Sequence, residues 1–231
     1  MPETQPAPAQ RPAFVPQIRR YQQWLEQTHG LSFDDYHALW NWSVTDLNTF
    51  WQSIWDYNDL QSPTPHSAAL AHNVMPGAQW FPGAQVNYAR QALRHANAAH
   101  AAGMPAIISE NEAGLERMLS WPELKRQVAS LALHLQARGV QPGDRVAAYL
   151  PNIPEAIVAL LACASVGAVW SVCAPDMGSH AVLDRFQQIE PKVLIAVDGV
   201  TWAGMDIDRS TVVTRPRRTS KSPSPWIEVV S

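Results

Sequence analysis

Few side chains in this sequence stand at spacings that do chemistry by themselves. The two cysteines, Cys163 and Cys173, lie inside apolar runs, which fits buried thiols better than a disulfide or a metal pair. The eight histidines are scattered, and His66 and His72, six apart in a Pro-rich stretch, lack metal-ligand spacing. Neither G-x-x-x-x-G-K-[ST] nor G-x-G-x-x-G is present, so no phosphate cradle is spelled out, and there is no G-x-S-x-G elbow. What remains is position. Residues 151–153, 174–178 and 198–204 each follow a short apolar run, and in open parallel sheets ligands sit beyond the carboxyl ends of the strands. Asp176 belongs to the second of these segments. It either caps the helix that follows, beside Gly178 and Ser179, or faces a ligand.

The elements that position these segments lie in residues 143–198. Residues 144–150 form an apolar run after a Pro-Gly turn, and Pro154 opens a helix, since the first turn needs no amide donor from it. Residues 156–166 are apolar nearly all round, which predicts a buried helix ended by Gly167. Residues 168–173 read as the next strand. Val182, Leu183, Phe186 and Ile189 recur at helical spacing until Pro191, and residues 192–197 are again strand-like. Strands alternating with helices predict an α/β fold with a mostly parallel sheet and right-handed crossovers.

Upstream, residues 1–16 read as a disordered lead and residues 18–27 as a short helix. Two S-x-x-D sequences, from Ser32 and from Ser43, predict the starts of two more helices. Phe33, Tyr36, Leu39 and Trp40 would share the inner face of the first. Leu47, Phe50, Trp51, Ile54 and Trp55 follow helical spacing in the second. Five of the ten tryptophans lie within residues 1–55, and a stripe of this kind is the packing face of a helical cap more readily than an aromatic ligand pocket. Residues 58–84, with Pro63, Pro65, Pro76 and Pro82, read as a long connection. A helix over 86–95, a hairpin turning at residues 111–114, and a Ser120-capped helix ending at Gly139 complete the chain up to the sheet.

A net charge of −3 gives no reason to expect nucleic acid, and no apolar run reaches the roughly 18 residues of a membrane span. The Pro- and Gln-rich start lacks an apolar signal core, so a cytoplasmic setting is expected. After Asp208 the texture changes: Arg215, Arg217, Arg218 and Lys221 face only Glu228 among many Ser and Pro. Such a stretch reads as a disordered tail, with a basic interaction tail or a shift of reading frame near residues 205–211 as the other readings.

Several segments carry a resemblance. WFPGAQVNYA (80–89), LSWPEL with the amphipathic helix after it, residues 139–178, and VLDRFQQIEPKVLIAVDG (182–199) together resemble the N-terminal part of the acetoacetyl-CoA synthetases, which are adenylate-forming acyl-CoA synthetases. The likeness runs in order over about residues 14–208. The FPGA-x-x-NYA segment and helical cap mark the short-chain branch. WSVCAPD followed by LDRFQQIEPKVL favours the acetoacetate member over acetyl- or propionyl-CoA synthetases.

The resemblance implies a helical cap and connection over 17–104, the start of an AMP-binding α/β domain over 105–208, and a tail over 209–231. It implies a two-step acid–thiol ligase of lipid and ketone-body metabolism, using acetoacetate, ATP with Mg, and CoA. The family's Gly-rich Pro-Lys phosphate loop, its aromatic-Thr-Glu segment, its ribose Asp and its C-terminal Lys are not found in this sequence, so the chain is expected to be inactive alone and to bind none of these ligands tightly. A fragment of an acetyl- or propionyl-CoA synthetase, or a non-catalytic α/β binding domain, is the alternative. Asp176, Met177 and Gly178 match a loop near the CoA path in relatives. A second matching loop, 199–204, often carries basic residues in relatives but here has Thr201 and Trp202, with Met205 just after it.

Overall fold

The computed structural model describes residues 14–210, 213 and 226–229, the last four as backbone. The chain divides into two units, 1–86 and 87–231.

The first unit begins with three helices, α1 (Gln17–His29), α2 (Tyr36–Thr45) and α3 (Leu47–Tyr57). Both S-x-x-D readings need correction. The caps are the aspartates: Asp35 accepts from the Ala38 amide at 2.8 Å and Asp46 from Thr49 at 3.2 Å. Ser43 stays inside α2 and donates to the Trp40 carbonyl. With the start of α2 moved to Tyr36, its buried face is Leu39, with Trp42 packed beside it, whereas Tyr36 and Trp40 are 61% and 52% exposed. Tyr21, Leu25 and Leu39 centre this core, joined by Trp24, Phe33, Phe50, Ile54 and Tyr57. Trp24 and Tyr57 meet edge to face at 5.3 Å. Ser53, wholly buried, is satisfied by the Tyr21 hydroxyl at 2.7 Å and the Phe50 carbonyl at 2.6 Å. The aromatic stripe is thus largely packing surface.

The Pro-rich connection wraps α3. It contains a small antiparallel pair that the sequence did not suggest, β1 (Leu70–His72) and β2 (Gln79–Trp80). The Asn48 side chain on α3 accepts from the Ala69 and Leu70 amides, and Trp55 packs on His66 and Phe81. Gly83 has a positive φ of 96°, and a Cβ there would stand 2.7 Å from the Pro65 carbonyl oxygen, so this crossing requires glycine.

The second unit opens with α4 (Tyr88–Leu93) and α5 (Ala96–Ala101). The expected boundary at 104/105 is therefore displaced to 86/87. Ala89 belongs to the core of the second unit, α4 packs on the helix over 154–165 and α5 on the helix over 121–137. The hairpin β3 (Ile107–Glu110) and β4 (Glu116–Leu119) follows as expected. Ser120 then caps α6 (Trp121–Ala137) by accepting from the Glu123 amide. The return bond of a capping box is not made, because the Glu123 carboxylate is engaged by Arg126 and Gln127.

The sheet has the order β10-β7-β5-β6, all parallel, with β5 (Arg145–Tyr149), β6 (Val169–Cys173), β7 (Val193–Ala196) and β10 (Trp226–Val229). The helices α7 (Pro154–Ser165) and α8 (Ser179–Ile189) make the crossovers. On one face Val146, Ala148, Val193 and Ile195 pack with α6 and α7; on the other Ala147, Tyr149, Leu194 and Ala196 pack with Val182 and Phe186 of α8. The helix expected to be buried all round is so only in part: Val158, Leu161, Ala162 and Cys163 are buried, Leu160 is half-buried and Ile157 is exposed. Burial lifts the Cys163 thiol pKa to about 12, which suits an inert core thiol.

Two further corrections concern the end of the chain. Residues 199–208 are not a loop but an antiparallel hairpin, β8 (Gly199–Trp202) and β9 (Met205–Asp208). A tail with no part in the core is also overturned where the structure describes it. Val213 is buried against Tyr149 and its neighbours, and β10 runs in register with β7. The basic residues Arg215, Arg217, Arg218 and Lys221 lie outside the described residues, as does the lead at 1–13.

Leu161→Ala should cost about 2–5 kcal/mol in urea denaturation, and Leu160→Ala distinctly less, because only the former empties a filled site. A second expectation concerns pH. The Gln141 amide, and then Lys192 at 2.9 Å, hold the Asp144 carboxyl below its ordinary 3.8. A lowered folded pKa stabilises fully above the unfolded value and less as pH falls through the folded one. The stability gap between the unchanged chain and Asp144→Asn should therefore stand at pH 7 and narrow below pH 3.8 in urea denaturation at stepped pH.

Candidate functional site

The parallel strands β6, β5 and β7 deliver three segments to their carboxyl ends, as the alternation of elements predicts. The corner is organised by Tyr149, the last residue of β5. Its ring is buried in the core under α8, and its hydroxyl donates to the Pro175 carbonyl at 2.9 Å, which ties the 174–178 segment to the central strand. Burial pushes the Tyr149 phenol above its usual range; the nearby Arg209 guanidinium opposes this, and Asp176 and Cys173 add to it. The corner thus brings one cation and one carboxylate close to a buried phenol. The Arg209 Nε is buried without a hydrogen-bond partner among the described residues. Nothing in the sequence reading pointed to Arg209. Tyr149 did leave a signal: a phenol closing an otherwise aliphatic strand needs a partner for its hydroxyl.

Residues 176–178 are placed as follows. Asp176 is exposed and does not cap α8; the N-cap is Gly178, which receives no side-chain bond. Met177 is half-buried on the core under α8, its sulfur 3.8 Å from the Arg185 guanidinium, and its amide closes a turn on the Ala174 carbonyl at 3.1 Å. A Cβ added at Gly178 would meet nothing within 4 Å, so the backbone there is approachable from outside.

Beyond β7 the hairpin borders an open cleft of about 660 Å³ lined by Asp198, Thr201, Asp206, Asp208 and Ser210. The Ser210 amide and hydroxyl hold the Asp208 carboxyl below its usual range, so that carboxylate keeps its charge. Three aspartates make this cleft unfavourable for phosphates. Among the described residues no group of three or more His, Cys, Asp or Glu is placed to hold a metal ion. Among them, too, no helix is long and apolar enough to cross a membrane.

Tyr149→Phe removes the donor and leaves the Pro175 carbonyl unpaired in a buried corner. It should cost on the order of 1–3 kcal/mol in urea denaturation and speed exchange of the Met177 amide.

Comparison with known proteins places this architecture. Residues 93–226 match the AMP-binding enzyme family and residues 36–92 match the acetyl-coenzyme A synthetase N-terminus. The first match runs past residues 205–211, which speaks against a shift of reading frame there. The chain is 37% identical over 222 residues to acetoacetyl-coenzyme A synthetase of Rhizobium meliloti (strain 1021), covering 93% of this chain and 33% of the relative. It is 33% identical over 194 residues to acetoacetyl-CoA synthetase of Xenopus tropicalis, covering 83% of this chain and 28% of the relative. The structure of acetoacetyl-CoA synthetase from Streptomyces lividans matches with a TM-score of 0.83 at 45% identity, over 91% of this chain and 35% of that one. The chain spans about a third of the length of the relatives it matches. It belongs to the AMP-binding enzyme family, matching the N-terminal region of the acetoacetyl-CoA synthetases.

Proposed function

We propose that this chain forms the N-terminal cap and first sheet segment of an acetoacetate–CoA ligase. In that reaction a carboxylate oxygen of acetoacetate attacks the α-phosphorus of ATP, and the bond to pyrophosphate breaks. The CoA sulfur then attacks the acyl carbonyl, the bond to AMP breaks, and the thiol proton is released. Activation as an adenylate turns a poor leaving group into a good one and splits a difficult step in two. The observation that carries this reading is the likeness to the Streptomyces lividans enzyme, sustained over nearly the whole chain.

Within such a ligase the chain's own residues position rather than react. Tyr149 fixes the 174–178 segment at the carboxyl end of the sheet. Residues Asp176, Met177 and Gly178 line the CoA side, with a half-buried thioether and an approachable backbone. That surface suits the neutral pantetheine arm better than the phosphates, which the aspartates of the adjoining cleft repel. The chain by itself performs neither half-reaction, and a cytoplasmic setting accords with two thiols that are both free.

Two measurements test this. The chain alone, given acetoacetate, Mg, ATP and labelled pyrophosphate, should show exchange no faster than background; an acetoacetate-dependent rate would show that it reacts unaided. Residues 14–210, exchanged for their counterparts in the Streptomyces lividans enzyme, should yield a folded chimera that makes acetoacetyl-CoA. A folded chimera that has lost acetoacetate-dependent thioester formation, or that prefers acetate or propionate, contradicts the assignment.

A further inference from the structure

The turn of the β8–β9 hairpin is occupied by a carboxylate from far away in the chain. The Ala203 amide donates to Glu112 Oε1 and the Gly204 amide to Glu112 Oε2, both at 3.1 Å. Ala203 and Gly204 have φ of 51° and 72°, and successive amides in a turn can present a concavity that receives an anion. The two-residue hairpin turn calls for positive φ at both central residues, which Ala203 meets against the preference of a side-chain-bearing residue. A carboxylate bridging both amides adds to the hold on that turn, because hydrogen bonds to a charged acceptor are strong.

The turn that carries Glu112 is held firmly. The Asn111 side chain accepts from the Ala113 and Leu115 amides, and the Asn111 carbonyl from Gly114, which fixes the turn between β3 and β4. The hairpin is otherwise anchored at its base. There the Arg209 amide donates to the Asp198 carbonyl at 2.6 Å and Val200 packs against the core under α7, whereas Trp202 and Met205 at the tip are exposed. The Thr201 hydroxyl, which lines the cleft, donates to the Asp206 carboxylate across the hairpin at 2.8 Å. The hairpin's own ladder makes no demand on a residue 91 positions earlier.

We propose that Glu112 is a positioning residue: its carboxylate clasps the tip of the β8–β9 hairpin and so fixes the wall of the cleft beyond β7. With the clasp closed the hairpin is held at both ends. With it open the hairpin pivots on Asp198 and Arg209, and the cleft changes shape while the sheet does not. The inference is independent of the reaction proposed above.

Amide hydrogen exchange on the full chain tests it. In Glu112→Ala the Ala203 and Gly204 amides should exchange at least tenfold faster, while the amides of β5 and β7 and the melting temperature stay as they were. Glu112→Gln keeps one carbonyl oxygen and should retain protection at one of the two amides. Unprotected Ala203 and Gly204 in the unchanged chain, or rates unaltered in Glu112→Ala, would overturn the proposal. So would a loss of protection spread through β5 and β7, because Glu112 would then support the fold rather than the tip.

Discussion

The structure of the second unit depends on one strand that has no free side. β5 is hydrogen-bonded to β6 on one edge and β7 on the other, and Val146, Ala147, Ala148 and Tyr149 are all buried. Such a strand must be apolar along its whole length, because alternation would drive a polar row into one of the two cores. The small side chains of Ala147 and Ala148 let the layers above and below approach, and Tyr149 puts its single polar atom at the end of the strand, where a carbonyl is within reach. The course of the 174–178 segment follows from that placement, and the Tyr149 ring shares its core with Val182 and Phe186 of α8.

The parallel sheet was legible in the sequence because its strands are continuous apolar runs bounded by proline and glycine. What stayed hidden is instructive. In both S-x-x-D sequences the serine reads as the better-known cap, but the aspartate lies three residues nearer the apolar face and takes the bond. The pair β1–β2 has three residues and two, too short for any periodicity to show. The β8–β9 hairpin turns on an Ala-Gly pair, a sequence less often read as a turn than Asn-Gly. The exposure of Ile157 on α7 was missed because an apolar helix with one open side and one enclosed on all sides have the same composition.

The candidate site was legible as a place but not as a mechanism. Topology alone put residues 174–178 and 198–204 at the carboxyl ends of the strands. Tyr149 and Arg209 give the corner its character and three aspartates line the cleft beyond β7; of these only Tyr149, a phenol closing an aliphatic strand, stands out in the sequence. Their significance arises from proximity across long separations, as between Glu112 and the hairpin or between Tyr149 and Pro175. The lack of basic side chains at Thr201, Trp202 and Met205 was visible in the sequence, and the acidic lining of the cleft adds to it.

The position of β5 also sets an order of assembly. It precedes both its partners in the chain, and β7 can pair with it only after two complete crossovers have been laid down. As the chain leaves the ribosome, β5 must wait with both edges open while α7 and β6 appear, and one edge stays open until α8 has docked. The local hairpin β3–β4 and helix α6 can form early at little cost in loop closure, whereas the sheet must close by contacts of long sequence separation, which form slowly. The unpaired edge and apolar faces of β5 are therefore the surfaces most in need of shielding during synthesis, and α6 is the element already present to cover one of them.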